Sequence, residues 1–126
     1  MAVCLAFAEK RWRSLRHAAH GVCRLVRAEA HARIHLAATL LVGIAGLALR
    51  VSMEAWRWLI LACALVWVAE ALNTAIERLA DRVCAAHDPA IGAAKDLAAA
   101  AVLLAAVAVL AIGASLVLPV LAGARS

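Results

Sequence analysis

The sequence has little charge, no clustered cysteines and no evident signal peptide. Only 17% of its 126 residues are charged and 67% are hydrophobic, whereas soluble domains are roughly 45–50% apolar. A water-soluble monomer of this size is mostly surface and has no room to bury so much apolar area. The four cysteines form no closely spaced pair, which argues against a zinc site and a disulfide framework. The composition therefore indicates a membrane protein.

The opening segment, Met1–Phe7, is too short for the apolar part of a signal peptide and is followed by charge. We therefore expect membrane insertion to rely on the spans themselves.

Basic residues are concentrated before the first apolar run. They are Lys10, Arg11, Arg13, Arg16, Arg24, Arg27 and Arg33. Beside membrane spans such a basic arm is typical of the cytoplasmic side and of attraction to anionic lipid. No nucleic-acid recognition motif accompanies the charge, so we expect no nucleic-acid partner.

Hydrophobic periodicity divides the chain into four helical segments in a single membrane domain, 1–126. Residues 5–28 place a basic face beside an apolar stripe, as expected of an amphipathic helix lying on the membrane surface. Three apolar segments follow, at 34–50, 55–83 and 94–121, and each is a candidate membrane span. The predicted fold class is all-α and integral to the membrane. With the basic arm inside, the polar loop between the second and third spans also lies at the cytoplasmic side.

The second span ends in a face of polar residues. At about 100° per residue, one narrow face carries Glu70, Asn73, Thr74, Glu77 and Asp81. Like charges on one helix face repel, and an ionisable group below the headgroups costs several kcal/mol. A divalent cation would relieve this repulsion, because carboxylate oxygens are the ligands that magnesium accepts.

Some of these charges also have ordinary structural explanations. Asp81 could belong to an ion-paired helix end, and Glu29 has a potential i+4 partner in Arg33. Two histidine pairs have spacings that could bind a metal, but without a third ligand they are weak evidence for zinc. These pairs are His17 with His20 and His31 with His35. Glu70 is the hardest residue to explain structurally, because it directly follows an apolar run.

The polar residues carry a resemblance to a known family. Glu70-Ala-Leu-Asn-Thr-Ala-Ile-Glu77, then Asp81 and Ala94-Lys95-Asp96, resemble the small bacterial membrane lipid kinases, namely prokaryotic diacylglycerol kinase and its undecaprenol-kinase relatives. Glu29 with Arg33-Ile34-His35 is similar to the family's entry into the first span. The resemblance covers the chain from about residue 10 to 121.

The resemblance implies a homotrimer in the bacterial inner membrane, with active sites near the cytoplasm that bind ATP and a lipid alcohol. Glu70 would be the general base on the lipid hydroxyl, and Glu29 and Glu77 would hold the Mg²⁺ of MgATP. The implied nucleotide contacts, besides those two acids, are Lys10, His17, Ala86, His87, Asp88, Lys95 and Asp96. Asn73 and Asp81 would support the site. The lipid side would include Glu70, Arg33 and Ala99.

The acceptor lipid differs between branches of the family. Ala98 and Ala99 replace a Gly-Ser of the diacylglycerol-specific branch, while Arg33-Ile34-His35 resembles the undecaprenol branch more closely. The expected reaction is phosphorylation of diacylglycerol to phosphatidic acid, with undecaprenol as the alternative acceptor.

Two further function classes compete with the kinase. A small proton-coupled transporter could use Glu70 as its relay, and a structural assembly subunit would need none of the acids. No P-loop or kinase glycine-rich loop is present, so a soluble-kinase mechanism has no support. Phosphoryl transfer needs a metal clamp, a cation and a base, and the acidic face, Lys95 and Glu70 supply these.

Overall fold

The computed structural model describes residues 2–83 and 88–121, which form four helices. They are α1 (Ala2–Ala28), α2 (Ala30–Ala48), α3 (Met53–Val83) and α4 (Pro89–Leu121). The part of the chain so described contains no strand. Helices α2, α3 and α4 are each long and apolar enough to cross a membrane. The prediction of an all-α membrane fold with an N-terminal helix before three spans is confirmed.

The first two helices are separated by a single extended residue. Glu29 has φ −106° and ψ 126°, and no side chain caps the new helix there. The chain redirects at this point, so α2 begins at Ala30, four residues before the span expected from position 34. Leu25 of α1 and Ala32 of α2 are buried on either side of the break. Glu29 therefore lies where α1 and α2 meet α3.

A tight turn joins α2 to α3. Arg50 has a φ of 51°, a left-handed backbone conformation that glycine adopts most often. The N–H of Val51 donates to the carbonyl of Gly46 at 3.1 Å, which closes the end of α2. The Ser52 hydroxyl then accepts the N–H of Ala55 at 3.2 Å and caps the start of α3. The two helices are thereby turned into an antiparallel hairpin.

The fourth helix begins earlier than the sequence suggested. The Asp88 carboxylate accepts the N–H groups of Ala90, at 2.8 Å, and Ile91, at 3.3 Å. Pro89 occupies the first helical position, where its missing N–H and fixed φ cost nothing. The segment 89–93, expected to be loop, is therefore the first turn of α4. An Asp-Pro pair is a helix-start signal that the hydrophobic pattern did not reveal.

Helix α3 is the centre of the bundle and packs most extensively against α4. Its buried stripe repeats every three or four residues and comprises Ala55, Leu59, Ala62, Val66, Glu70 and Thr74. Ala98 and Ala105 of α4 are also buried, so small side chains permit close helix approach. Large apolar residues such as Leu47 and Leu110 are exposed. Such outward faces suit contact with lipid or with another subunit.

A glycine in α2 provides the space for a tryptophan of α3. A Cβ atom placed on Gly46 would lie 2.8 Å from Cη2 and 3.0 Å from Cζ2 of the Trp56 ring. The indole therefore lies directly against the backbone of α2. A Cβ atom placed on Gly43, one turn earlier, would meet no other atom within 4 Å among the described residues.

This difference gives a matched pair of variants. Gly46→Ala should lower the free energy of unfolding by about 1–3 kcal/mol, because the rigid indole must move. Gly43→Ala should instead be neutral or stabilising by up to about 1 kcal/mol through helix propensity. Unfolding by sodium dodecyl sulfate in mixed micelles measures both. Equal effects of the two substitutions would contradict the packing described for Trp56.

Candidate active site

Glu70 is the buried ionisable residue at the end of the apolar stripe of α3. Only 3% of its surface is exposed. It lies one helical turn beyond Val66 and one turn before Thr74, both of which are also buried. A carboxylate in such surroundings is costly unless a partner or a function compensates.

The remaining polar residues of this helix face become progressively more exposed along α3. Asn73 and Glu77 are half-buried, and Asp81 is exposed. The Asn73 amide donates to Glu77 Oε1 at 3.1 Å. The Asn73 carbonyl oxygen is buried and has no hydrogen-bond partner within the described residues. The polar face expected from the sequence is thus a gradient from apolar surroundings at Glu70 to water at Asp81.

Glu29 is held against α3 by an ion pair with Arg78, the residue after Glu77. The Arg78 guanidinium donates to Glu29 Oε1 at 2.8 Å. The alternative i+4 partner, Arg33, is exposed and forms no ion pair with Glu29 within the described residues. The extended backbone at Glu29 allows its side chain to reach α3. The α1–α2 junction and α3 therefore both contribute a carboxylate to one region.

Lys95 connects the fourth helix to the acidic face. Its Nζ donates to Asp81 Oδ1 at 3.0 Å and joins α4 to the end of α3. This pair is largely solvent-exposed, so its contribution to stability is small. Asp96, next in the chain, is exposed. The cation expected near the acids is present among them.

The other residues implied by the resemblance are exposed, cap a helix or lie outside the described residues. Lys10 and His17 are exposed on α1, and Arg33 and Ala99 are exposed on α2 and α4. Asp88 caps α4 with its carboxylate, which gives it a structural role in the chain as described. Ala86 and His87 lie outside the described residues.

His35 is a neighbour of Glu70 that sequence reasoning did not single out for this site. Its Nε2 lies 3.8 Å from Glu70 Oε2, and the histidine side chain is 19% exposed against 4% for the glutamate. The sequence spacing of His35 and His31 had suggested only weak metal binding. The neighbour of His35 that matters for this site lies on another helix, because the α2–α3 hairpin brings His35 opposite Glu70.

A hydrogen-bond chain fixes α2 against α3 one turn away. The Thr39 hydroxyl donates to the His35 carbonyl at 2.8 Å. The same hydroxyl accepts the indole N–H of Trp67 at 3.0 Å. Because Trp67 is three residues before Glu70, this contact sets which residue of α2 faces Glu70.

A mostly apolar groove of about 170 Å³ runs between α2 and α4 over α3. Its lining residues are His35, Ala38, Thr39, Val42, Cys63, Val66, Ala106, Val109 and Leu110. His35 and Val66 mark its end nearest Glu70. A narrow apolar groove that ends beside a buried carboxylate can accommodate a hydrocarbon chain whose polar end meets that carboxylate.

No group of three or more acidic, histidine or cysteine side chains forms a metal cluster within residues 2–83 and 88–121. This does not conflict with a magnesium site, because Mg²⁺ commonly uses one or two carboxylates together with substrate phosphates. Glu29 and Glu77 offer the oxygen donors that the ion prefers. Glu29 lies at the junction of α1 and α2 and Glu77 lies on α3, so two separate segments supply these carboxylates.

Comparison with known proteins gives two matches. A sequence model of the family described as "Prokaryotic diacylglycerol kinase" matches residues 16–117. A curated protein of Bacillus subtilis (strain 168), named "Undecaprenol kinase", is 36% identical over 108 residues, which cover 86% of this chain and 88% of that protein. The matched region contains Glu29, Glu70, Glu77 and Lys95.

The interhelical hydrogen bond of Thr39 yields a stability prediction. Thr39→Val keeps the side-chain volume but leaves the Trp67 N–H without its acceptor, so unfolding free energy should fall by about 0.5–2 kcal/mol. Ser115→Ala is the control, since that hydroxyl donates to the Ile112 carbonyl of its own helix and links no other helix among the described residues. Unfolding in mixed micelles measures the free energy of unfolding of both variants. Equal values would contradict the role of Thr39 in fixing α2 against α3.

Proposed function

Because this chain belongs to the prokaryotic diacylglycerol kinase family, and is therefore a membrane lipid kinase using ATP, we propose that Glu70 is its general base and a polyprenol its acceptor. Membership in a kinase family favours the enzyme hypothesis over the transporter and the assembly subunit. The observation that carries the proposal for Glu70 is its burial at the lipid end of the acidic face.

Undecaprenol is the acceptor that the sequence relationship supports best. The relative from Bacillus subtilis carries that lipid in its name and aligns with most of this chain. The segment Arg33-Ile34-His35 points to the same branch, and the groove beside Glu70 suits a slender hydrocarbon chain. Diacylglycerol remains the second candidate, because the family as a whole is described by it.

The proposed reaction begins with removal of a proton from the lipid hydroxyl. A Glu70 oxygen accepts that proton, the hydroxyl oxygen forms a bond to the γ-phosphorus of ATP, and the bond to the ADP oxygen breaks. The products are a lipid phosphate and ADP. Burial of Glu70 supports this role, since a base at this depth can meet an alcohol that arrives from the bilayer.

Glu29 and Glu77 are the residues proposed to hold Mg²⁺. When bound, the ion would neutralise charge on the phosphate oxygens. Carboxylates from the α1–α2 junction and from α3 support this assignment. The carbonyl oxygen of Asn73, beside Glu77, also supports it, because it has no partner among the described residues. In the structure Glu29 is neutralised by Arg78. Arg78 therefore keeps the Glu29 carboxylate facing α3.

The nucleotide is proposed to bind on the water-facing side of Glu29 and Glu77. Lys95 and Asp96 lie at the start of α4, and Lys95 already contacts the acidic face through Asp81. The ammonium group can exchange this exposed carboxylate for a phosphate, because the Asp81 pair is weakly held in solvent. The further nucleotide contacts proposed from the resemblance are Lys10, His17, Ala86, His87 and Asp88.

We also propose a homotrimer in the bacterial cytoplasmic membrane, with the N-terminus and the site on the cytoplasmic side. The charge asymmetry supports this orientation, because the basic arm and Lys95 would share one face. The exposed apolar faces of α2 and α4 support association with lipid and with further copies. Arg33 and Ala99, exposed in one chain, are proposed to face the acceptor lipid.

A single substitution tests the base assignment. Glu70→Gln keeps the size and hydrogen-bonding capacity but removes the proton acceptor, so phosphorylation in mixed micelles with radiolabelled ATP should fall at least about 100-fold. Glu54→Gln, an exposed carboxylate in the first turn of the same helix, should retain activity. Near-normal turnover by the Glu70 variant would refute the assignment.

A competition assay tests the acceptor. With undecaprenol and diacylglycerol present together, the kcat/KM for undecaprenol should be at least about tenfold higher, a ratio that apolar pockets commonly achieve. Thin-layer separation of the two labelled phospholipid products measures this ratio directly. A preference for diacylglycerol would contradict the acceptor proposal and leave the kinase chemistry intact.

A further inference from the structure

We propose that His35 is a positioning residue that holds the carboxylate of Glu70 in place for catalysis. This inference rests on the proposed function of Glu70 and extends it to a second helix. His35 belongs to α2, whereas the acidic face belongs to α3. The proposed base would then depend on the packing of α2 against α3.

The geometry of the pair supports a directional contact. The separation of His35 Nε2 and Glu70 Oε2, 3.8 Å, is within the range of an ion pair and about 1 Å longer than a hydrogen bond. Catalytic hydrogen bonds are often long without substrate and tighten in the complex. Both side chains are shielded from water, so the attraction is screened little.

Two other polar groups near Glu70 on its own helix are already hydrogen-bonded to other residues. The Asn73 amide donates to Glu77, and the Trp67 N–H donates to Thr39. Neither donor is free to fix the Glu70 carboxylate in this structure. Among the lysine, arginine and histidine side chains of the described residues, His35 is the one that lies within 4 Å of that carboxylate.

The position of His35 is itself determined by hydrogen bonds. Its carbonyl accepts the Thr39 hydroxyl, and that hydroxyl is fixed to α3 through Trp67. The α2 backbone at His35 therefore cannot slide along α3 without breaking this link. It also lines the apolar groove, at the end nearest Glu70. His35 thus lies where an alcohol at the end of a hydrocarbon chain would approach the base.

Three substitutions at one position separate positioning from simple space filling. Counted from Cα, the amide nitrogen of Gln lies as far along the side chain as the histidine Nε2, and that of Asn lies as far as Nδ1. Ala has no side-chain donor. His35→Ala and His35→Asn should lower kcat about 100-fold, because a displacement of about 1 Å at a reacting group can cost that much. His35→Gln should recover at least a tenth of the wild-type kcat.

The Michaelis constant provides an independent readout. Since His35 acts through Glu70, the KM for ATP should stay within about twofold of wild type in all three variants. Unfolding in mixed micelles is measured in parallel, because Asn and Gln both fill the site and should differ little in stability. His31→Ala, an exposed histidine one turn earlier on α2, is the matched control and should be fully active.

The possible failures are distinguishable. If the wild-type protein phosphorylates no lipid alcohol, the proposed function fails before any variant is considered. If the wild type is active and Glu70→Gln is inactive, but His35→Ala retains full kcat, only the positioning role is overturned. Equal loss in His35→Gln and His35→Asn at equal stability also overturns it. A rise in KM for ATP with unchanged kcat would assign His35 to binding instead.

Discussion

Placing the Glu70 carboxylate at the end of an apolar helix stripe costs free energy, and the residues around it are arranged so that they offset that cost. Glu70 occupies a position in α3 that packing alone would fill with a residue like Ala62 or Val66. Burial of an ionised group costs several kcal/mol unless partners compensate. The surrounding features reduce that cost: a histidine from α2, a polar gradient toward water, and a groove in which a polar lipid end could replace solvent.

The helix boundaries determine which chemistry reaches this carboxylate. The break at Glu29 turns α2 against α3 and lets the Glu29 side chain bridge to Arg78. The cap at Asp88 starts α4 early enough for Lys95 to reach Asp81. The α1–α2 junction, α3 and α4 therefore contribute charged groups to one end of the bundle. This arrangement suits a reaction between a water-borne nucleotide and a membrane-borne alcohol.

Much of this organisation could be predicted from the sequence, because local periodicity specifies it. The amphipathic first helix, the three spans and the polar face of Glu70, Asn73 and Glu77 all follow from spacing along one helix. The contacts between helices could not be predicted in this way. The His35–Glu70 and Glu29–Arg78 pairs depend on how the hairpin turns at Arg50 and on which residue faces Trp67. Those are properties of packing, which a single sequence does not display.

We propose that Glu70 meets the acceptor hydroxyl from within the membrane. A structure of the protein in a lipid bilayer with undecaprenol, Mg²⁺ and a non-hydrolysable ATP analogue would test this contact. We expect a Glu70 oxygen within hydrogen-bond reach of the lipid hydroxyl, about 2.6–3.2 Å, with the γ-phosphate on the hydroxyl's other side. A hydroxyl bound by a different carboxylate, with Glu70 still enclosed by its own helices, would contradict it.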